Sequence, residues 1–314
     1  MTVRRLSLIA LPGNEAFVRS LLGAFANSGV SAEQLPVTVR RFPDAESYVR
    51  LDASVRNREV WLVCTLDRPD DKVLALIFLA ATARELGAAS VGLVAPYLAY
   101  MRQDRRFEPG EAVTSKYFAG LLSGSFDSIV TVDPHLHRRS ALGEIYSVPA
   151  LVVHAAPRIA EWVRENVRRP VVVGADEESS QWVAAVAEAA DAPWTALRKE
   201  RRGDRDVSVS IPEVDRWIDH TPVLVDDIIS TARTMIATVH HLLSAGLHAP
   251  DCVGVHAVFA AGAFDELRAA GARRIVTCNT IPHPSNRIDL STDLAQAIVG
   301  LATLPAGSWN DQNA

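Results

Sequence analysis

The chain reads as an α/β protein of two domains, each a parallel sheet flanked by helices. Three observations predict this. Short β-branched runs alternate with Ala- and Leu-rich segments of helical period. The β-branched runs are apolar throughout rather than alternating, which is the pattern of strands buried on both faces. The chain has 314 residues, 48% of them hydrophobic, enough for two packed cores.

The elements divide into two series. In the first, strands are expected at Leu6–Ala10, Val60–Thr65, Val91–Ala95 and Ser128–Val132, with helices at Glu15–Asn27, Asp71–Leu86 and Ser115–Leu122. In the second, strands are expected at Val171–Gly174, Val223–Val225, Cys252–Ala257 and Arg274–Cys278. Its helices are Arg158–Asn166, Ser180–Ala189, Thr234–Ala245 and Phe264–Ala270. The boundary is expected near Val148-Pro149, giving domains 1–149 and 150–314. No low-complexity linker separates them. A last helical stretch, Leu294–Leu301, has no evident docking place, and the polar end from Trp309 to Ala314 is expected to fray.

Composition narrows the function. A net charge of -5 gives no basic footprint for nucleic acid. No apolar run reaches the ~18 residues that span a membrane. The N-terminal Leu6–Leu11 stretch runs into Pro12-Gly13-Asn14 and reads as a strand and turn rather than a signal peptide. Cys64, Cys252 and Cys278 sit in or beside apolar runs without CxxC pairing, as expected of buried thiols in a reducing compartment. A cytoplasmic protein without nucleic-acid or membrane partners is expected.

Ligands of open parallel sheets bind beyond the strand ends, so the polar residues there carry the chemistry. The segment VLVDDIISTART (223–234) is the most informative. An apolar run ends in Asp226 and Asp227, passes through hydroxyl-bearing Ser230 and Thr231, then Ala232, Arg233 and Thr234, and enters a helix. Free N–H groups and the positive end of the helix dipole suit a phosphate. The two carboxylates can accept hydrogen bonds from ribose hydroxyls. A turn whose Asp, Ser and Thr merely cap the helix is the plainer alternative. Other strand ends lead to Arg102-Gln103-Asp104-Arg105, Asp133-Pro134-His135 and Asp176.

These segments together resemble the ribose-phosphate diphosphokinases. The resemblance spans roughly 13–298 and rests on RFPDAESYVR (41–50), APYLAYMRQDRRF (95–107), TVDPHLH (131–137), GADEES (174–179), RKERR (198–202), LVDDIISTART (224–234) and CNTIPHPSNRIDLS (278–291), in the family's order. It implies two phosphoribosyltransferase-type domains related by internal duplication. It implies an enzyme of nucleotide biosynthesis that moves diphosphate from magnesium–ATP to ribose 5-phosphate, giving 5-phosphoribosyl 1-diphosphate and AMP.

The resemblance also assigns roles. Phe42, Asp44 and Glu46 match an adenine pocket reached from a neighbouring subunit, so a homo-oligomer of at least two chains is implied. Phe42 offers a stacking face, and the carboxylates can accept from an amino group; alone, the segment reads as a surface hairpin. Arg102, Gln103 and Asp104 match the ATP loop, and guanidiniums suit phosphate oxygens. His135, Asp176 and Asp133 fall on the magnesium side, with His135 also touching ATP and Asp176 the sugar phosphate. Zinc is the rival for the His-x-His pair, but it wants further His or Cys ligands. Magnesium needs one or two protein ligands, with phosphates and waters completing its shell. Asp226, Asp227 and Ser230 to Thr234 match the ribose 5-phosphate loop. Lys199 and Arg201 match a Lys and an Arg that close over the phosphates as catalytic cations.

The chain departs from the family pattern at three places. Ala232 and Arg233 replace two glycines of the phosphate loop, which otherwise let backbone approach phosphate closely. Ser230 replaces the commoner Asp, which removes a negative charge beside the phosphate. Glu177, Glu178 and Ser179 stand after Asp176 where the family has a small residue and two glycines. Two other functions stay open on these grounds. One is a non-catalytic homologue that binds nucleotide or ribose phosphate. The other is a phosphoribosyltransferase, which shares the Asp226–Thr234 loop but needs no ATP loop.

Overall fold

A computed structural model of the chain describes residues 6–136, 138–174, 180–202, 206–210 and 214–303. It contains two units. The first holds the described residues up to Val153 together with a C-terminal helix, and the second is His154–Leu290. The division thus falls after Val153, a few residues beyond the expected boundary, and the last helix belongs to the first unit rather than the second.

The first unit is built on β1 (Leu6–Ala10), β2 (Ala32–Gln34), the hairpin β3 (Val37–Arg41) and β4 (Ser47–Leu51), β5 (Glu59–Val63), β6 (Ser90–Ala95), β7 (Ser128–Val132) and β8 (Ala150–Val153). Its helices are α1 (Glu15–Asn27), α2 (Val73–Glu85) and α3 (Thr114–Ser125). Six strands form one parallel sheet in the order β2-β1-β5-β6-β7-β8. Every residue of β1 and β5 is buried, which is why these strands carry no polar alternation. Leu76, Leu79, Ala80 and Ala83 of α2 pack into the same core as Leu62, Leu93 and Ile129.

The second unit begins with α4 (Ala156–Asn166), β9 (Pro170–Gly174), α5 (Ser180–Ala190) and β10 (Trp194–Ala196). The hairpin β11 (Arg198–Arg202) and β12 (Asp206–Ser210) follows, then β13 (Thr221–Ile229), α6 (Arg233–Ser244), β14 (Asp251–Ala257), α7 (Ala263–Ala269), β15 (Arg274–Cys278) and β16 (Asn286–Ile288). Its sheet order is β10-β9-β13-β14-β15-β16, again parallel throughout. The two sheets therefore share one topology. In each, an antiparallel hairpin is inserted after the second strand, β3–β4 in one and β11–β12 in the other. This repeat is the internal duplication that the sequence implied.

The last helix, α8 (Ser291–Thr303), packs on α1, β7 and β8 of the first unit, with Leu294 and Ile298 fully buried. At the N-terminal edge of the second sheet, buried Asp251 accepts from the guanidiniums of both Arg273 and Arg274. Arg274 also lies 4.8 Å from the Trp162 ring centroid. This charge cluster lies at the strand starts and locks β14 and β15 together. Ligand chemistry belongs at the opposite edge.

Candidate active site

In both sheets the strand order reverses between the first and third strands of the series, and the crevice beyond the C-terminal ends at that point is the expected ligand position. In the second unit this point lies between β9 and β13. β13 does not stop at Val225. It pairs with β14 through Ile228↔His256 and Ile229↔Ala257, so Asp226 and Asp227 lie within its last turns of pleat. Both aspartates are half-buried, and the Asp227 N–H donates to the Asp226 carboxylate at 3.0 Å.

The loop that follows is short. Ser230 is half-buried, and its carbonyl accepts from the Ala260 N–H at 3.0 Å, which ties the loop to the end of β14. Thr231, Arg233 and Thr234 are exposed. Ala232 is buried at the N-cap of α6 with φ 55°, in the left-handed region that favours glycine. No side chain caps the helix there, so its first N–H groups are available to an anion. Exposed Arg233 opens the first turn of α6 as a cation. Asp226, Asp227, Ser230, Thr231, Ala232, Arg233 and Thr234 thus fall on one strand end and one helix start.

Lys199 and Arg201 occupy alternate positions of β11, in register with Val209 and Val207 of β12. Asp176, with Glu177, Glu178 and Ser179, lies outside the described residues, directly after β9.

In the first unit, Phe42, Asp44 and Glu46 are exposed on the turn joining β3 to β4. The turn closes through the Phe42 N–H to the Glu46 carbonyl (2.8 Å) and the Glu46 N–H to Asp44 Oδ1 (3.3 Å), with Ala45 at φ 71°. Phe42 is 40% exposed, and the Arg40 guanidinium sits 4.6 Å from its centroid and 4.1 Å from that of Tyr48. A cavity of about 430 Å³ lies toward the turn end of this hairpin between Pro12, Arg41, Ser47 and Lys72. None of the sequence-predicted site residues lines it.

Arg102, Gln103 and Asp104 lie in the irregular segment between β6 and α3, and Asp133 and His135 leave the adjacent strand β7. Tyr100 precedes the segment at φ 62° and donates its hydroxyl to Asp70, whose carboxylate raises the phenol above its ordinary value. Asp133 has φ 26°. Arg102 is exposed, whereas the Asp104 side chain is only 5% exposed and accepts from Arg138 Nη1 at 3.1 and 3.3 Å. Arg139 Nη2 donates to the Asp104 carbonyl of the same loop. Sequence reasoning stopped at His137 and missed Arg138 and Arg139; two adjacent guanidiniums after a strand-end His were the available signal.

Among the described residues no three His, Cys, Asp or Glu side chains gather as a metal cage. The donors present, one carboxylate and one imidazole two residues apart, fit an ion that draws most of its shell from phosphate and water. The three cysteines are buried and form no disulfide, and burial pushes the Cys64 thiol up to about 12.

Two α/β units of this topology, each with carboxylates or hydroxyls at its strand ends, define a protein of the phosphoribosyltransferase type. The comparisons narrow the class. Residues 18–125 match the "N-terminal domain of ribose phosphate pyrophosphokinase" and residues 141–293 match the "Phosphoribosyl transferase domain". The ribose-phosphate pyrophosphokinase of Methanopyrus kandleri is 34% identical, covering 90% of this chain and 96% of that protein. That of Saccharolobus solfataricus is 32% identical, covering 88% and 98%. The crystal structure of phosphoribosylpyrophosphate synthetase from Mycobacterium smegmatis superposes with a TM-score of 0.81 at 21% identity, over 95% of this chain and 99% of that one. This chain belongs to the ribose-phosphate pyrophosphokinase family. It is an enzyme, a transferase of nucleotide biosynthesis. No helix among the described residues is long and apolar enough to cross a membrane.

Proposed function

We propose that the chain transfers diphosphate from magnesium–ATP to the C1 hydroxyl of ribose 5-phosphate. The anomeric oxygen attacks the β-phosphorus, the bond from that phosphorus to the α–β bridging oxygen breaks, and AMP leaves. The hydroxyl proton passes to solvent; no residue is assigned as general base. The observation that carries the reading is the β13–α6 junction. It sets two carboxylates, two hydroxyls and an uncapped helix start at the switch point of a parallel sheet.

In this reading Asp226 and Asp227 hold the ribose hydroxyls. Ser230, Thr231, the backbone at Ala232 and Arg233, and Thr234 hold the 5-phosphate. Arg102, Gln103, Asp104 and His135 bind ATP. Asp133, His135 and Asp176 would hold magnesium, which offsets phosphate charge when bound. Lys199 and Arg201, delivered on the β11–β12 hairpin, stabilise charge developing toward the leaving oxygen. Phe42, Asp44 and Glu46 receive the adenine of a neighbouring subunit's ATP. The exposure of the Phe42 ring on the hairpin turn supports a homo-oligomer of at least two chains. A cytoplasmic setting follows from these substrates.

The test is phosphorus NMR of the purified protein with magnesium, ATP and ribose 5-phosphate. AMP appearing together with a sugar-linked diphosphate is expected. Nucleotide binding without turnover would overturn the reading in favour of a regulatory homologue disabled at Arg233 or Glu178. Lys199→Ala is expected to lower kcat by about 10²–10³ while ATP binding persists; unchanged turnover would remove Lys199 from the mechanism.

A further inference from the structure

We propose that Arg139 is a positioning residue of the ATP site. It fastens the Arg102–Asp104 loop to the strand end that carries Asp133 and His135. The inference rests on the reading of those two segments as the ATP and metal sides of one site.

The loop has few attachments of its own. On one side it is tied to the start of α3, through the Ser115 N–H to the Gln103 carbonyl (3.3 Å) and the Thr114 hydroxyl to Gln103 Oε1 (3.1 Å). The other side is held from the β7–β8 connection. Arg139 Nη2 donates to the Asp104 carbonyl at 3.2 Å and lies 3.5 Å from the Ser115 hydroxyl. One guanidinium therefore bridges the loop and the helix that follows it. Its Nη1 lies 3.8 Å from Glu144 Oε2, and Glu144 Oε1 accepts from the Ser140 N–H (2.7 Å) and hydroxyl (2.8 Å). Asp104 is thus engaged twice, its carbonyl by Arg139 and its carboxylate by Arg138.

The Arg139 side chain is 10% exposed and Ser115 is fully buried. Arg139 is shielded from solvent where it meets the loop, while Arg102 is exposed. Only a few residues separate Arg139 from His135. Arg139 thereby joins the Arg102–Asp104 loop to the connection that leaves the end of β7. Holding reacting groups in register is the main protein contribution to phosphoryl transfer.

A second observation separates this role from plain stability. Arg139 Nε is buried with no partner. An unpaired buried donor costs stability, and an apolar side chain of similar length avoids that cost. Arg139→Met should therefore fold well yet lose the tie.

The experiment compares wild type, Arg139→Met and Arg139→Lys by steady-state kinetics and thermal melting. For Arg139→Met, KM for ATP is expected to rise about tenfold and kcat to fall, with KM for ribose 5-phosphate unchanged. Arg139→Lys, which can reach the Asp104 carbonyl with one ammonium, should recover part of the loss. An unchanged KM for ATP in a folded Arg139→Met, or an equal rise in both KM values, overturns the proposal. Should Arg139→Met melt before assay, Arg139→Leu, which also lacks the donor, replaces it: a wild-type KM for ATP there refutes the tie. Absence of turnover in the wild type would sink the functional reading separately. The Kd for magnesium–ATP by calorimetry then replaces KM, read against the same expectation.

Discussion

Ala232 shows how a departure from a family pattern can be tolerated. A residue with a Cβ at φ 55° costs about 1–2 kcal/mol relative to a relaxed backbone. Ala232→Gly relieves that strain but adds about 0.5–1 kcal/mol of chain entropy to be lost on folding. The expected outcome is stability within about 1 kcal/mol of the parent by denaturant melting, with turnover retained. A large loss of either would mean that the Ala232 methyl packs against something essential. Arg233 carries a further lesson at this scale. The sequence alone left open whether its side chain crowds the phosphate loop, because side-chain direction at a helix start depends on where the cap falls. In the fold it is exposed at the first position of α6. Asp104 is the converse case. Its residue type pointed toward ligand, while its side chain is turned to Arg138, a partner thirty-four positions away that no local pattern announces.

At the level of elements, Gly254 controls the approach of β14 to β13. It stands opposite Asp226, and a Cβ there would lie 2.6 Å from Cδ1 and Cγ1 of buried Ile229. Gly254→Ala must displace the buried Ile229 side chain, which sits on the strand end that leads into Ser230. We expect a loss of about 1–3 kcal/mol in stability, and a KM for ribose 5-phosphate raised more than that for ATP. Equal KM values would show that β13 absorbs the methyl without moving its loop. Long buried elements were legible in the sequence: β1, β7, β15 and α1 fall where their apolar runs begin and end. Short edge strands were not. β2 reads Ala-Glu-Gln and has no apolar signal, since an edge strand three residues long borrows its conformation from its neighbour. β10 and β16 are of the same kind. β13 was read too short because two carboxylates look like a strand terminator, yet pairing with β14 carries the backbone through them. The β13–α6 loop was legible because strand, loop and helix start are contiguous. The Arg139 tie was not, because it joins segments far apart in the chain.

For the whole molecule, His283 and Glu144 both contribute to a loss of stability in acid. Burial among Phe259 and Phe264 holds the His283 imidazole below 6.5. The unfolded chain then binds the proton more readily, so stability falls as pH drops below 6.5 and through the folded value. Glu144 is held below 4.5 chiefly by the Ser140 N–H and hydroxyl, so its contribution is present above 4.5 and is lost as pH falls toward the folded value. The Tm should be flat around neutrality, decline in two stages on acidification, and fall again in alkali as pH rises past 9.0, where the thiols of the unfolded chain ionise before buried Cys64 and Cys252. His283→Phe, which suits the aromatic setting, should remove the first stage in a calorimetric pH series; an unchanged profile would assign that stage elsewhere. The placement of α8 bears on how the molecule is made. It covers α1, β7 and β8, yet it follows the whole second unit in the chain. On the ribosome the first unit to emerge is therefore the last that can close, and its unsealed face must wait through the synthesis of 137 intervening residues, His154–Leu290.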